Sequence, residues 1–265
     1  MTDRKIKVLI VDDSALVRKV LSVGLSSDPT IQIMGVASSA DMAKTFMKKR
    51  MPDVITLDLE MAHMDGISFM RTYMSDTPVP TVVISSHTQR GQKVTMQAFE
   101  AGAVDVIGKP TISPTEGLGA MMQDIVRRVK SAAGARVKRI AASERPAFVQ
   151  ASVSATPKAP ASCRASDWLI ALGASTGGVQ ALTDILTALP AQCPPIVIVQ
   201  HMPEGFTRSF ASRVNAMSKI TITEARDNEV LKCGHAYIAP GGTKHMILKR
   251  TLGDFVVNMV DGEPV

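Results

Sequence analysis

Two sets of residues in this chain have the types and spacing that chemistry needs. In the first, Asp12 and Asp13 close the run IKVLIVDD, Asp58 closes DVITLD, Ser85 closes TVVIS, and Lys109 follows AVDVIG just before Pro110. Five polar residues at the ends of apolar runs would converge if those ends share an edge. Three crowded carboxylates repel, and a hard cation with oxygen ligands, Mg²⁺, relieves that repulsion while drawing in a phosphoryl group. Asp58 is then the nucleophile for phosphoryl transfer, with Mg²⁺ and Lys109 absorbing charge and Ser85 hydrogen-bonding the product.

In the second set, Gly173-Ala174-Ser175-Thr176-Gly177 matches G-x-S-x-G directly after the apolar run LIAL. At a strand-to-helix turn that pattern pushes a serine hydroxyl outward. Glycines such as Gly177 permit the tight turn and let backbone N–H groups face a developing oxyanion. His201 ends the next apolar run, PIVIVQH, 26 residues on. As a general base it could contribute roughly 10²–10⁴ in rate. Each residue also fits a quieter role. Aspartates after strands cap helices, as Asp13 or Ser14 could before ALVRKV. Ser175 could itself be a cap, GASTGG could cradle a nucleotide phosphate, and His201 could be a satisfied core histidine.

The elements that must position these residues are legible as an alternation. From Lys5 to about Ala132, short β-branched runs alternate with amphipathic stretches such as SALVRKVLSVGL, a fivefold βα pattern that demands a parallel sheet covered on both faces. Ligands gather where such strands end. After an Ala-, Ser-, Pro- and Arg-rich passage the alternation restarts with DWLIALG, GGVQALTDILTAL, PIVIVQH and FTRSFASRVNAM. Four strand-like pieces follow, KITITEA, HAYIAP, HMILK and FVVNMV. The expectation is an α/β chain of two domains. Residues 1–132 form a flavodoxin-like domain with a five-stranded parallel sheet, 133–165 a basic linker, and 166–265 an incomplete Rossmann-like, doubly wound α/β hydrolase domain.

Bulk composition narrows the classes. No apolar run approaches the ~18 residues of a membrane helix, and the opening MTDRKIKVLIVDD meets acidic residues too early for a signal peptide, so a cytoplasmic protein without membrane insertion is expected. Cys163, Cys193 and Cys233 lack metal or framework spacing and are expected as reduced thiols. The formal charge is +6, but the segment from Arg127 to Arg164 alone is +8, leaving the remainder at −2. The basic excess is therefore assigned to the tether, and no nucleic-acid partner is expected.

Residues 5–132 resemble a response-regulator receiver domain. The resemblance implies Asp58 as phosphoacceptor, Mg²⁺ held by Asp12, Asp13, Asp58 and the Glu60 backbone carbonyl, Ser85 as switch hydroxyl and Lys109 as phosphate sensor. Ala62 stands where the family's loop usually carries proline, and Val106 where it usually carries an aromatic. With LGASTGG, IVIVQHMP and GHAYIAPGGTKHM added, the whole chain apart from the linker resembles the chemotaxis response regulator protein-glutamate methylesterase (CheB) family.

That resemblance implies phosphorylation-regulated hydrolysis of glutamate methyl esters, with deamidation of glutamines, on methyl-accepting chemotaxis receptors. A CheA-type histidine kinase would be the phosphate donor. Ser175 would be the nucleophile, His201 the base, and Thr176 a support of the turn. The family's catalytic aspartate is expected beyond Val265, since Asp227, Asp254 and Asp261 do not stand in its motif. A missing orienting carboxylate costs roughly 10⁴ in turnover in serine proteases. The alternative expectation is accordingly a truncated form that accepts phosphate and binds receptors without efficient esterase activity.

Overall fold

The computed structural model describes residues 4–61, 65–85, 89–109, 118–137, 139 and 168–262. The chain divides into two compact units, Met1–Ser143 and Glu144–Val265. The expected linker, beyond residue 139, lies outside the described residues.

In the first unit, five parallel strands stand in the order β2-β1-β3-β4-β5. They are β1 (Ile6–Val11), β2 (Ile31–Ala37), β3 (Val54–Asp58), β4 (Thr81–Ser85) and β5 (Asp105–Gly108). Every residue of β3, β4 and β5 is buried. That is why these strands read as continuous apolar runs instead of alternating ones. Five helices connect or flank them: α1 (Ala15–Ser26), α2 (Ala40–Lys49), α3 (Gly66–Asp76), α4 (Gln89–Glu100) and α5 (Leu118–Ala133). Leu21 and Leu25 of α1 and Ile125 and Val129 of α5 cover one face, against Val8, Ile10, Val82 and Ile84. The chain leaves β1 toward β2 and returns to β3 on its other side, so strand order reverses at β1, and a crevice opens between the ends of β1 and β3.

Helix α5 corrects the charge assignment. Arg127, Arg128 and Lys130 belong to this helix and not to a tether. Arg128 is 4% exposed and pairs bidentately with Asp105, also buried, while donating to the Val106 carbonyl at 2.6 Å. Arg127 meets Asp124 at 2.6 Å, and Lys130 reaches Asp28 at 2.9 Å. Charge counting along the chain misplaced them because it ignores the valines at 126 and 129, which anchor this helix to the core.

The second unit holds a four-stranded parallel sheet in the order β6-β7-β9-β8. Its strands are β6 (Ile170–Ala174), β7 (Ile196–Gln200), β8 (Thr221–Glu224) and β9 (His235–Ile238), with helices α6 (Gly178–Ala188) and α7 (Phe206–Met217). The last two strand-like pieces leave that sheet and form an antiparallel hairpin, β10 (Lys244–Thr251) and β11 (Asp254–Asp261). Leu252 and Gly253 make its two-residue turn with φ of 52° and 96°, the left-handed pair such a hairpin requires. The hairpin lays Met246, Leu248, Phe255, Val257 and Met259 against Val197 and Tyr237. Asp227 ties it down by accepting from the Met259 N–H at 2.7 Å. Cys193 is a buried thiol, whereas Cys233 is disulfide-bonded, a departure from the expected reduced state. Spacing along the chain does not reveal which sulfurs folding brings within bonding reach.

Candidate functional site

The crevice of the first unit gathers the expected residues. Asp12 and Asp13 follow β1, Asp58 ends β3, Ser85 ends β4 and Lys109 follows β5. Oxygens of Asp12, Asp13 and Asp58 lie within 4.8 Å of one another. Asp58 is fully buried. Its Oδ2 accepts from Lys109 Nζ at 2.6 Å, and its Oδ1 from the Glu60 N–H at 3.0 Å. Asp12 accepts from the Ser14 N–H through Oδ1 at 2.8 Å, while its Oδ2 is buried without a hydrogen-bond partner. Ser14, and not Asp13, caps α1.

Burial and the neighbouring Asp58 carboxylate push the Asp12 pKa up to about 6, against the lowering effect of the Ser14 N–H. Burial works against the Lys109 ammonium too, but Asp58, with help from Asp12 and Asp13, outweighs it and holds Lys109 above the ordinary lysine range. Among the described residues, one ammonium thus faces three carboxylates. The orphaned Asp12 Oδ2 and its raised pKa mark a site short of positive charge, and an all-oxygen donor set suits a hard divalent cation. The residues fit Mg²⁺.

Sequence reasoning missed three supports of this crevice. Arg18 donates to the main-chain carbonyls of Asp12 and Asp13, each at 2.9 Å, and fixes the turn that carries both carboxylates. Thr95 of α4 donates to Ser85 Oγ at 2.9 Å. Gly66 lets the start of α3 close on the Asp58 main chain, since a Cβ there would stand 2.4 Å from the Asp58 carbonyl oxygen. Only the glycine gave a signal, as a turn residue after the acceptor strand.

The second set also shares a rim. β6 and β7 are parallel neighbours with Ala174 opposite Gln200, so Ser175 and His201 follow adjacent strand ends. The His201 N–H continues the ladder to the Ala174 carbonyl at 3.1 Å. Ser175 is exposed and His201 half-buried. Ser175 is not the cap of α6. That place belongs to Gly177, whose φ of 78° needs the left-handed region, so the Thr176–Gly177 turn leaves the serine side chain unused by the helix.

Gln200 was not foreseen either. Its Nε2 donates to the Ser175 carbonyl at 3.0 Å and to the His201 carbonyl at 3.3 Å, one buried amide joining the main chains of both residues. Gly178 makes room for it, because a Cβ there would meet Gln200 Oε1 at 2.1 Å. His235 packs against Tyr237, and its Nδ1 lies 3.0 Å from the Cys233 carbonyl, away from any role at this rim.

Two family models cover the two units separately. The response regulator receiver domain matches residues 8–120, and the CheB methylesterase domain matches 170–263. A protein-glutamate methylesterase/protein-glutamine glutaminase of the group 2 operon in Cereibacter sphaeroides is 48% identical over 259 residues, which are 98% of this chain and 68% of the relative. The chain belongs to this family. The corresponding enzyme 2 of Chromobacterium violaceum is 46% identical over 266 residues, 97% of this chain and 74% of its own. The crystal structure of the response regulator domain of Thermotoga maritima CheB is 34% identical, covers 50% of this chain and 99% of its own, and superposes with a TM-score of 0.45. In this chain the carboxylate crevice falls wholly within the receiver match, and Ser175, Gln200 and His201 within the methylesterase match. Among the described residues no helix is long and apolar enough to cross a membrane.

Proposed function

We propose that this chain carries out phosphorylation-regulated hydrolysis of glutamate methyl esters, and deamidation of glutamine side chains, on methyl-accepting chemotaxis receptors in the cytoplasm. Ser175 Oγ attacks the ester carbonyl carbon as His201 takes the hydroxyl proton. The oxyanion forms beside the N–H groups of the Thr176–Gly177 turn at the positive end of α6. Methanol leaves with the proton returned by His201, or ammonia does when the substrate is an amide. Water, deprotonated by His201, then attacks the acyl-serine and releases a glutamate carboxylate and free Ser175. Gln200 keeps the two main chains in register throughout. The observation that supports this reading most is the delivery of Ser175 and His201 by neighbouring parallel strands in a chain 48% identical to a named methylesterase/glutaminase.

The receiver supplies the regulation. An Asp58 oxygen attacks the phosphorus of a phosphohistidine on a CheA-type kinase; the P–N bond breaks and an aspartyl phosphate forms. Lys109 offsets charge on the phosphoryl oxygens, and the Ser85 hydroxyl donates to one of them. Mg²⁺, held by Asp12, Asp13, Asp58 and the Glu60 carbonyl, would supply the positive charge that the three carboxylates lack.

Methanol release from methylated receptor membranes tests the hydrolase, with Ser175→Ala expected to abolish it. Labelling by radioactive acetyl phosphate tests the receiver, with Asp58→Asn expected to abolish that. Phosphate uptake without any methanol release would replace the hydrolase reading by a phosphoaccepting, receptor-binding protein. Labelling that persists in Asp58→Asn would remove the phosphoacceptor assignment.

A further inference from the structure

Four threonines inside helices of this chain turn their hydroxyls back on their own backbone, whereas Thr207 of α7 donates to Glu224. Thr45 donates to the Asp41 carbonyl at 3.0 Å, Thr72 to that of Phe69 at 2.7 Å, Thr183 to that of Val179 at 2.7 Å and Thr187 to that of Thr183 at 2.7 Å. Such back-bonding is the ordinary fate of a helical threonine. Thr95 departs from it: its hydroxyl leaves α4 and donates to Ser85 Oγ at the end of β4. Both residues are buried, Thr95 fully and Ser85 to 2% exposure. The bond therefore runs where no solvent competes for it.

A hydroxyl carries one proton and two acceptor lone pairs. With Thr95 donating to it, Ser85 Oγ has one lone pair occupied, and its own proton is directed to an acceptor other than Thr95. Asp58 ends the strand next to Ser85, with Ile84 of β4 opposite Asp58 of β3. The Ser85 carbonyl is held from the far side by the Lys109 N–H at 2.8 Å. The Ser85 main chain is thus held by β5, while its side chain is engaged by Thr95. On the neighbouring strand, the Val106 carbonyl is bound by Arg128 and the Val106 side chain is buried. This pins β5, and the Thr95–Ser85 hydroxyl pair ties α4 to the end of β4.

We propose that Thr95 is a positioning residue for the Ser85 hydroxyl and that its hydrogen bond carries the displacement of Ser85 on phosphorylation into helix α4. The inference rests on the reading of Asp58 as phosphoacceptor. When a phosphoryl group stands on Asp58, Ser85 donates to one of its oxygens, a charge-assisted bond stronger than the hydroxyl pair. Thr95 then follows Ser85 and takes α4 with it, because staying behind would leave a buried donor without its acceptor.

The test is amide hydrogen exchange of α4 in the full chain, with and without acetyl phosphate and Mg²⁺, with phosphate uptake followed separately by intact mass. Wild type is expected to take up phosphate and change its exchange across residues 94–100. Thr95→Val is expected to take up phosphate and lose that change. Thr95→Ser, which keeps the donor, is expected to restore it. If the valine variant does not fold, Thr95→Ala set against Thr95→Ser gives the same contrast. A phosphorylated Thr95→Val whose α4 responds as wild type does, or a phosphorylated wild type whose α4 does not respond, overturns the proposal. Failure of wild type to take up phosphate instead sinks the phosphoacceptor reading, and the proposal with it.

Discussion

Replacing Asp12 by asparagine should stabilise the receiver unit at pH 8 and leave it unchanged at pH 3. Asparagine preserves the shape and the acceptor that serves the Ser14 N–H, and puts a neutral amide where the unpartnered Oδ2 sits. The folded state holds the Asp12 carboxyl at about 6 against an ordinary 3.8, chiefly through burial and then through Asp58. A pKa raised by folding means the native state binds the proton more tightly, so stability falls as pH rises from about 4 to 6 and stays low above that. Raising the carboxyl from 3.8 to about 6 corresponds to at most about 3 kcal/mol at pH 8. Below about pH 3 the carboxyl is protonated in both states and the two proteins should coincide.

Amide hydrogen exchange in β1 and β3, corrected for intrinsic rates, reads the opening of this unit alone. Adding Mg²⁺ at a hundredfold excess over its dissociation constant should return about 2.7 kcal/mol to wild type and much less to the variant. An equal gain at both pH values, or none at pH 8, would refute the claim that a charge-starved carboxylate sits in the crevice.

Further outcomes follow from single contacts. Arg128→Met leaves Asp105 buried without its guanidinium partner and should cost about 3–5 kcal/mol in urea denaturation. Adding Asp105→Leu should recover much of that loss, a non-additivity that a merely crowded site would not show. Gly66→Ala forces a Cβ onto the Asp58 carbonyl and the Leu59 Cα, so acetyl-phosphate labelling should slow and the receiver lose about 1–3 kcal/mol. Gln200→Leu removes the amide that joins the Ser175 and His201 main chains. Its methanol release should fall on the order of tenfold at unchanged KM, a loss of alignment and not of substrate binding.

What the sequence made legible was whatever depends on strand order alone. Asp12, Asp13, Asp58, Ser85 and Lys109 all sit at the ends of apolar runs, and right-handed crossovers then admit few arrangements other than a shared edge. The same reasoning delivered Ser175 and His201 to neighbouring strands. What stayed hidden depends on helix phase and rotamer. Thr95 reaches Ser85 only because α4 presents that one turn to β4, and Gln200 bridges two carbonyls because its side chain turns back under the strand ends. Arg128 looked like tether charge until α5 buried it against Asp105. The hairpin gave two strand-like runs, but its turn carries leucine at a left-handed position, where the expected signal would be asparagine or glycine.

The two sites share their geometry and differ in electrostatics, and that difference sets how each tolerates change. Among the described residues of the receiver, three carboxylates share one ammonium, and a phosphoryl group adds roughly two more negative charges at pH 7. Phosphorylation cannot leave such a pocket as it was. Hydroxyl donors and cations must rearrange around Asp58, and the resting state already bears the cost of a buried, undercompensated Asp12. At the second rim no carboxylate among the described residues is buried beside Ser175, and the main chain is pinned by the β-ladder, the Gly178 N–H at 2.7 Å and the Gln200 amide. A substitution that relieves charge in the crevice should therefore gain stability while losing response. At the serine rim, where alignment is what the contacts supply, any substitution that loosens them should lose stability and turnover together.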